Sequence, residues 1–483
     1  ICTSRTYAVN LILQKYLIAD VDIVDIKVMT DEELELALQH FPNLKPYFEN
    51  KGVREILRSP KYLEFAVSTI GVSGFQVENL SVVDFKIKLW EHIIEKSTVT
   101  GGGMARKRGK AFSNIAIKRA KLMRLFAEPD EGIDEGAVEA LIDDDILYKS
   151  KEDYRFSPSH DILEDWALVK HISKLKSDAA SVEDFFLQIG NQPALRRAFR
   201  LWVEDFLIED ADAMISLIRS TINNDKIEKY WVDEILISVF RSRDASPFFI
   251  NFKDDLLANN ASFLSRCIIL TRTACKEYGH GSENKKSILF PVGVVWKDLL
   301  VFVSENIAEL SNLRPSIFSL LLDWELRFLL DAENLTLEEV EACKTIVVHY
   351  IQEIESEDGY WQHKLSQEKY TVKELTYLFF SITPYAKKEV EDFLKRANSA
   401  TEVPWRVRSF YEMAFKIALG GIRNQNLVNE FPELLIALTD THWKEQPKKE
   451  VKEVTVVKSR RISSFLPEPK PGNAGHSIPP SPG

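Results

Sequence analysis

Cysteine is scarce: Cys2, Cys267, Cys275 and Cys343 are the four thiols of 483 residues. They show neither CxxC spacing nor the density of a disulfide-stapled secreted domain, so they read as reduced thiols, and a cytoplasmic setting is expected. Long apolar runs are missing too. A membrane span needs ~18 to 20 uninterrupted apolar residues; the run Ile288 to Trp296 is short and carries Pro291. Positive charge is not in excess, since 62 Lys and Arg face 73 Asp and Glu for a formal net charge of −11. That balance opposes sequence-independent attraction to phosphate backbones or anionic membranes, so no membrane and no nucleic-acid partner is expected. No HExxH, paired CxxC or GxSxG occurs. Metalloprotease, zinc-finger and hydrolase-elbow chemistry therefore have nothing to stand on, and no catalytic residue or metal ligand is assigned. His92, His349 and His363 are isolated.

What is present is ample core material. Hydrophobic residues make up 45% and aromatic ones 11%, enough for two or more cores at roughly 100 to 200 residues per domain. The periodicity predicts a mainly α protein. Residues 1–29 are the exception: Ile1 to Arg5 opens as though in mid-strand, with no initiator Met or signal-peptide pattern, and Val21 to Met29 alternates like a strand. The chain is accordingly expected to be a fragment of a longer one.

A small helical bundle is predicted over 30–100. Thr30-Asp31-Glu32-Glu33 has the capping-box form, Ser59-Pro60 places a capping serine before a proline in the first helical position, and Ser81 with Asp84 opens another helix. Gly101-Gly102-Gly103, with Arg106, Lys107, Arg108 and Lys110, suggests a flexible basic linker over 101–110. It invites a phosphate-loop reading and fails it. In GxxxxGK[ST] the lysine is followed by Ser or Thr, whereas Lys110 is followed by Ala111 and Met104 stands where the first glycine belongs. Over 111–175 the order helix, helix, hairpin (Ile146 to Tyr148, Tyr154 to Phe156) and helix after Ser159 is that of a winged helix. Residues 176–445 show helical periodicity almost throughout, with Trp202, Trp231, Trp296, Trp324, Trp361, Trp405 and Trp443 at irregular spacing, as in a degenerate helical repeat or an irregular helical domain. The Lys, Glu, Ser, Pro and Gly-rich 446–483 is expected to be a disordered tail.

Three short features belong together: Ile1-Cys2-Thr3-Ser4-Arg5 ends a strand on an arginine, Arg58-Ser59-Pro60 starts a helix, and Phe156-Ser157-Pro158-Ser159-His160 delivers a histidine at a helix start. Their order resembles the second half of the nucleotide-binding core of a STAND-class NTPase of NACHT type, over about residues 1 to 175. The resemblance implies that 1–29 is the residual edge of an α/β NTPase core, 30–100 the lid, 111–175 the winged helix and 176–445 a sensor that binds a protein partner. It implies nucleotide-facing roles for Arg5 as a sensor of the terminal phosphates, Pro60 beside the adenine and His160 at the ADP phosphate. ATP or ADP with Mg would be the parent protein's cofactor, with homo-oligomers on activation and, among bacterial relatives, antiphage defence. The phosphate loop and the acidic Mg-binding strand would lie upstream of Ile1, so the chain alone is expected neither to hydrolyse ATP nor to bind nucleotide tightly.

Two other readings stay open. A passive helical scaffold explains 176–445 equally well. A winged-helix DNA-binding regulator would need a recognition helix that approaches phosphates, yet Asp134, Glu135, Glu139 and Asp143 to Asp145 make that helix acidic.

Overall fold

The computed structural model describes residues 28–69, 81–280, 287–330, 334–367, 369–399, 403–420 and 425–444. The strand expected before Met29 and the tail expected after residue 445 lie outside them. The described chain is mainly helical and falls into two compact units, Ile1–Ala386 and Lys387–Gly483.

The first unit begins as its caps dictate. Thr30 closes both halves of a capping box with Glu33 at the start of α1 (Asp31–His40). Asn50 caps α3 (Lys51–Leu57), which follows the single turn α2 (Lys45–Glu49). Pro60 is the first residue of α4 (Pro60–Thr69), where its missing N–H costs nothing. Ser81 and Asp84 form a second capping box at α5 (Val82–Trp90). This helix runs into a π turn, Glu91–Glu95, that ends on Lys96 in the left-handed region at φ +50°.

The segment 101–110 is no linker. It forms the first turns of α6 (Gly102–Leu122). Past the glycines come Met104, Ala105 and Arg106 to Arg108, all strong helix formers, and Ala105, Arg108, Phe112 and Ile115 recur at helical spacing on the buried face. Gly109 belongs to a close approach: a Cβ there would sit 2.8 Å from Glu95 Oε1. A helix α7 (Glu135–Asp143), capped by Asp134, and a hairpin of β1 (Leu147–Lys149) and β2 (Phe156–Pro158) in the register Leu147↔Pro158 follow. Ala127 adds a bridge to Phe156, and α8 (Asp161–Asp178) completes the group. One hydrophobic cluster runs continuously from Leu34 to Ala167, so the bundle and this helix–helix–hairpin–helix group share a core.

Beyond α8 lie α9 (Val182–Ile189), α10 (Pro193–Glu209), α11 (Ala211–Ile222), α12 (Lys229–Arg241), α13 (Ser246–Asn251) and α14 (Lys253–Ala274), the last broken by left-handed residues at Asn259 to Ala261. A hairpin of β3 (Lys276–His280) and β4 (Ser287–Pro291) interrupts the helices. Next come α15 (Val295–Glu305), α16 (Arg314–Leu330), α17 (Leu337–Glu355), α18 (Gly359–Gln367) and α19 (Lys369–Ser381). Packing skips alternate helices: α8, α10, α12, α14 and α16 touch in succession, as do α9, α11, α13, α15, α17 and, through α17, α19. Two interleaved rows result. Aromatic rings fill them, as where Phe186 and Phe199 meet Trp231 at 5.2 and 5.0 Å. Tryptophans with polar ends keep them bonded: Trp296 Nε1 donates to Cys275 O (2.9 Å) and Trp324 Nε1 to Glu339 Oε1 (2.9 Å).

In the second unit, α20 (Lys387–Ser399), α21 (Trp405–Leu419), α22 (Gln425–Glu430) and α23 (Pro432–Lys444) follow one another. Phe393 packs against Phe410 and Tyr411, whereas Trp405 is exposed.

Candidate functional site

Two helix starts, those of α4 and α8, bear two of the residues singled out by sequence, and the third, Arg5, lies outside the described residues. Pro60 is exposed at the head of α4. His160 is half-buried, extended at φ −145°, ψ 142°, and its Nδ1 accepts the Ile162 N–H at 3.1 Å. The ring does what a Ser or Asp side chain usually does at an N-cap. It also lies edge-on to Phe65 of α4, centroids 6.5 Å apart. Pro60 itself is not among the residues that line a cavity here, although Ser59 lines one of about 230 Å³ beside Tyr62, Lys86 and Asp205.

The segment His160 to Trp166 ties elements together. Leu163 is in the shared core. Glu164 is buried and meets Arg119 of α6 at 2.6 Å and Arg197 of α10 at 3.6 Å, while Asp165 accepts from Arg197 Nε at 2.7 Å. Trp166 packs on Phe65 and donates to Tyr62 Oη at 3.0 Å. On the far side of Tyr62 a Lys86–Asp205 pair (2.6 Å) joins α5 to α10 across 119 residues.

Between α4, the π turn and the end of α7 opens a cleft of about 440 Å³. Lys61, Phe65, His92, Lys96, Asp144 and Ser159 are among the residues around it. Its floor is a charge node that sequence reasoning missed. Arg108 is 1% exposed and donates to Ile94 O (2.8 Å) and Ala140 O (3.0 Å), with Nη2 2.8 Å from Asp144 Oδ2. Lys96 Nζ reaches Asp144 Oδ1 at 2.6 Å. Burial alone would raise the Asp144 carboxyl; the Lys96 hydrogen bond and the charges of Arg108 and Lys96 outweigh it and hold it below the ordinary carboxylate range. Burial pushes the His92 imidazole down. Lys96 and Asp145, at φ +50° and +58°, are both left-handed non-glycine residues, at about 1–2 kcal/mol each. Such backbone, like a π turn, concentrates at functional sites. The signal in sequence was Arg108 itself, a cation in register with Ala105 and Phe112 on an apolar helix face.

The chemistry on offer is recognition. The Ser68 and Thr69 hydroxyls donate to Phe65 O within their own helix. The thiols of Cys267, Cys275 and Cys343 are buried, and burial raises all three, Cys275 to about 12. Among the described residues no group of three or more His, Cys, Asp and Glu is gathered as a metal ion would need, and no helix is long and apolar enough to cross a membrane. Compared with known proteins, the chain matches no family model and no curated relative.

Proposed function

We propose that the chain is the controlling part of a nucleotide-dependent signalling switch of the STAND class, NACHT type, with 30–100 as the lid, α6 to α8 and their hairpin as a winged helix, and the two-row helical array as a solenoid-like sensor. The observation that carries this reading is the packing of the Pro60 helix against His160. Two helix N-termini with their unpaired N–H groups and favourable dipoles lie side by side, joined by the Phe65–His160 contact. The imidazole fits the role of a phosphate donor: accepting at Nδ1 puts the neutral ring's proton on Nε2. Pro60, exposed at its helix start, fits a base-packing role, and Arg5 would supply the guanidinium fork for the terminal phosphates.

On this reading ADP, bound with Mg by a longer parent protein, holds lid and winged helix closed. A protein ligand on the array favours opening, exchange for ATP and homo-oligomerisation, and antiviral defence is the setting that the resemblance suggests. Such a switch works only if the ligand binds the open state more tightly than the closed one. Hydrolysis belongs to the parent; this chain alone would be inactive. The exposed acids Glu135, Glu139 and Asp143 along α7 weigh against the DNA-binding alternative.

The test is a fluorescent-ADP titration of the chain extended by its upstream coding sequence. His160→Ala is expected to weaken ADP about tenfold, the loss of one charge-assisted hydrogen bond, and to leave ATP within about twofold. Equal ADP affinity in wild type and variant, or an upstream sequence without GxxxxGK[ST], would sink the reading in favour of a passive helical scaffold.

A further inference from the structure

The outward side of the helix–helix–hairpin–helix group differs from the cleft side. α6 ends on Met123 in the left-handed region, φ +52°, which turns the chain sharply and leaves Met123 71% exposed and Leu125 75% exposed. Arg119 fixes this turn by donating to Leu125 O at 3.0 Å. The β1–β2 hairpin faces it with Tyr148, 55% exposed. Between them lies a shallow hollow of about 720 Å³ whose lining includes Arg124, Leu125, Phe126, Tyr148 and Lys151.

Its charge runs against that of the whole chain. Four cations, Arg124, Lys149, Lys151 and Arg155, line the hollow together with a single carboxylate, Glu152, in a protein of net charge −11. Arg155 is neutralised by Asp153, and Lys149 rests over the Tyr154 ring at 5.5 Å. Arg124 and Lys151 have no ion-pair partner among the described residues. Exposed Leu, Met and Tyr side chains beside uncompensated Arg and Lys have the composition of a protein-binding patch.

We propose that this hollow is a docking site for an acidic, apolar-anchored peptide segment of a partner protein: one aliphatic or aromatic side chain seats against Leu125, Phe126 and Tyr148 while flanking Asp or Glu side chains pair with Arg124 and Lys151. Three features select that occupant. The surface is concave and so suits a protruding side chain, whereas membranes are met by convex apolar surfaces. Its apolar part is aliphatic as much as aromatic, which suits a hydrophobic anchor better than stacked bases. The neighbouring α7 exposes Glu135, Glu139 and Asp143, which would repel an extended phosphate backbone but hardly touch a short peptide. The site stands apart from the nucleotide reading and survives or fails without it.

The experiment is selection of random peptides of about twelve residues, displayed on phage, against the whole chain without nucleotide, followed by affinity measurement on synthetic copies. Enriched peptides are expected to carry Asp or Glu next to Leu, Phe or Trp. Leu125→Ser, and separately Arg124→Glu with Lys151→Glu, are expected to cost them at least about tenfold in affinity. Arg106→Glu, exposed elsewhere on α6, should change it less than about twofold. All these positions are exposed, and unaltered thermal unfolding of the variants checks that folding is intact. Failure to enrich more on wild type than on Leu125→Ser, selected peptides without acidic residues, or tighter binding to duplex DNA or to phosphatidylserine vesicles than to any selected peptide would each overturn the proposal.

Discussion

The cleft side and the hairpin side of α6 belong to one helix and one core yet treat their charges in opposite ways. On the cleft side Arg108 spends its guanidinium on two carbonyls and a carboxylate, and Lys96 completes the node. Four turns later, Arg124 stands in solvent beside Leu125 with its charge unspent. The lesson is that the position of a basic residue relative to the apolar stripe, and not the basic run as such, decides its work. The run 106–110 owes its single buried member to helical spacing, and its neighbours Arg106, Lys107 and Lys110 remain exposed.

The sharpest way to break this contrast is Arg108→Ala against Arg124→Ala. The first strands the Asp144 carboxylate and two carbonyls in the interior and is expected to cost about 3–5 kcal/mol in urea unfolding. The second should stay within about 0.5 kcal/mol. Equal effects would mean that the node contributes nothing particular.

Acidity separates the regions further. His171 on α8 is pushed down to about 4 from 6.5, chiefly by burial and then by the charges of Lys121 and Lys174. Its ring is neutral in the fold, while in the unfolded chain it binds a proton below about pH 6.5. Its contribution to stability is thus complete above that pH and is lost as pH falls towards 4. Unfolding curves of wild type and His171→Phe should diverge on the alkaline side and converge over this window, by on the order of 1–2 kcal/mol after discounting for solvent access. Parallel curves would remove His171 from the account.

Smallest is the pair of helix starts. His160→Ala removes the cap of α8 and should cost about 1 kcal/mol, whereas Pro60→Ala, with no N–H bond to restore, should stay within about 0.5 kcal/mol. A larger loss at Pro60 than at His160 would reverse the structural roles given to them.

Much of the first 180 residues could be read directly. The capping boxes at Thr30 and Ser81 form as written, because both partners lie within four residues of each other. The hairpin was anticipated one or two residues early, since its register is fixed by Pro158 opposite Leu147 and by the Ala127 bridge, neither of which is a local signal. The helix over 102–122 was hidden by three glycines that end at its first turn. The hairpin β3–β4 escaped notice because Lys276-Glu277-Tyr278-Gly279-His280 has no apolar alternation to match that of Ser287–Pro291. The cleft was illegible for another reason. Its walls come from α4, the π turn, the end of α7 and the start of α8, nearly a hundred residues apart, and no short window contains the Arg108–Asp144–Lys96 geometry.

The π turn at Glu91–Glu95 carries a consequence for how this sequence can change. It holds one residue more than an α-helical turn would, and Lys96 owes its bearing towards Asp144 to that surplus. A single-codon deletion there would heal the helix and make it locally more regular, yet it would rotate everything downstream by about 100° about the axis, carrying the lysine off its carboxylate. Insertions and deletions should therefore be purged from this turn even where substitutions pass.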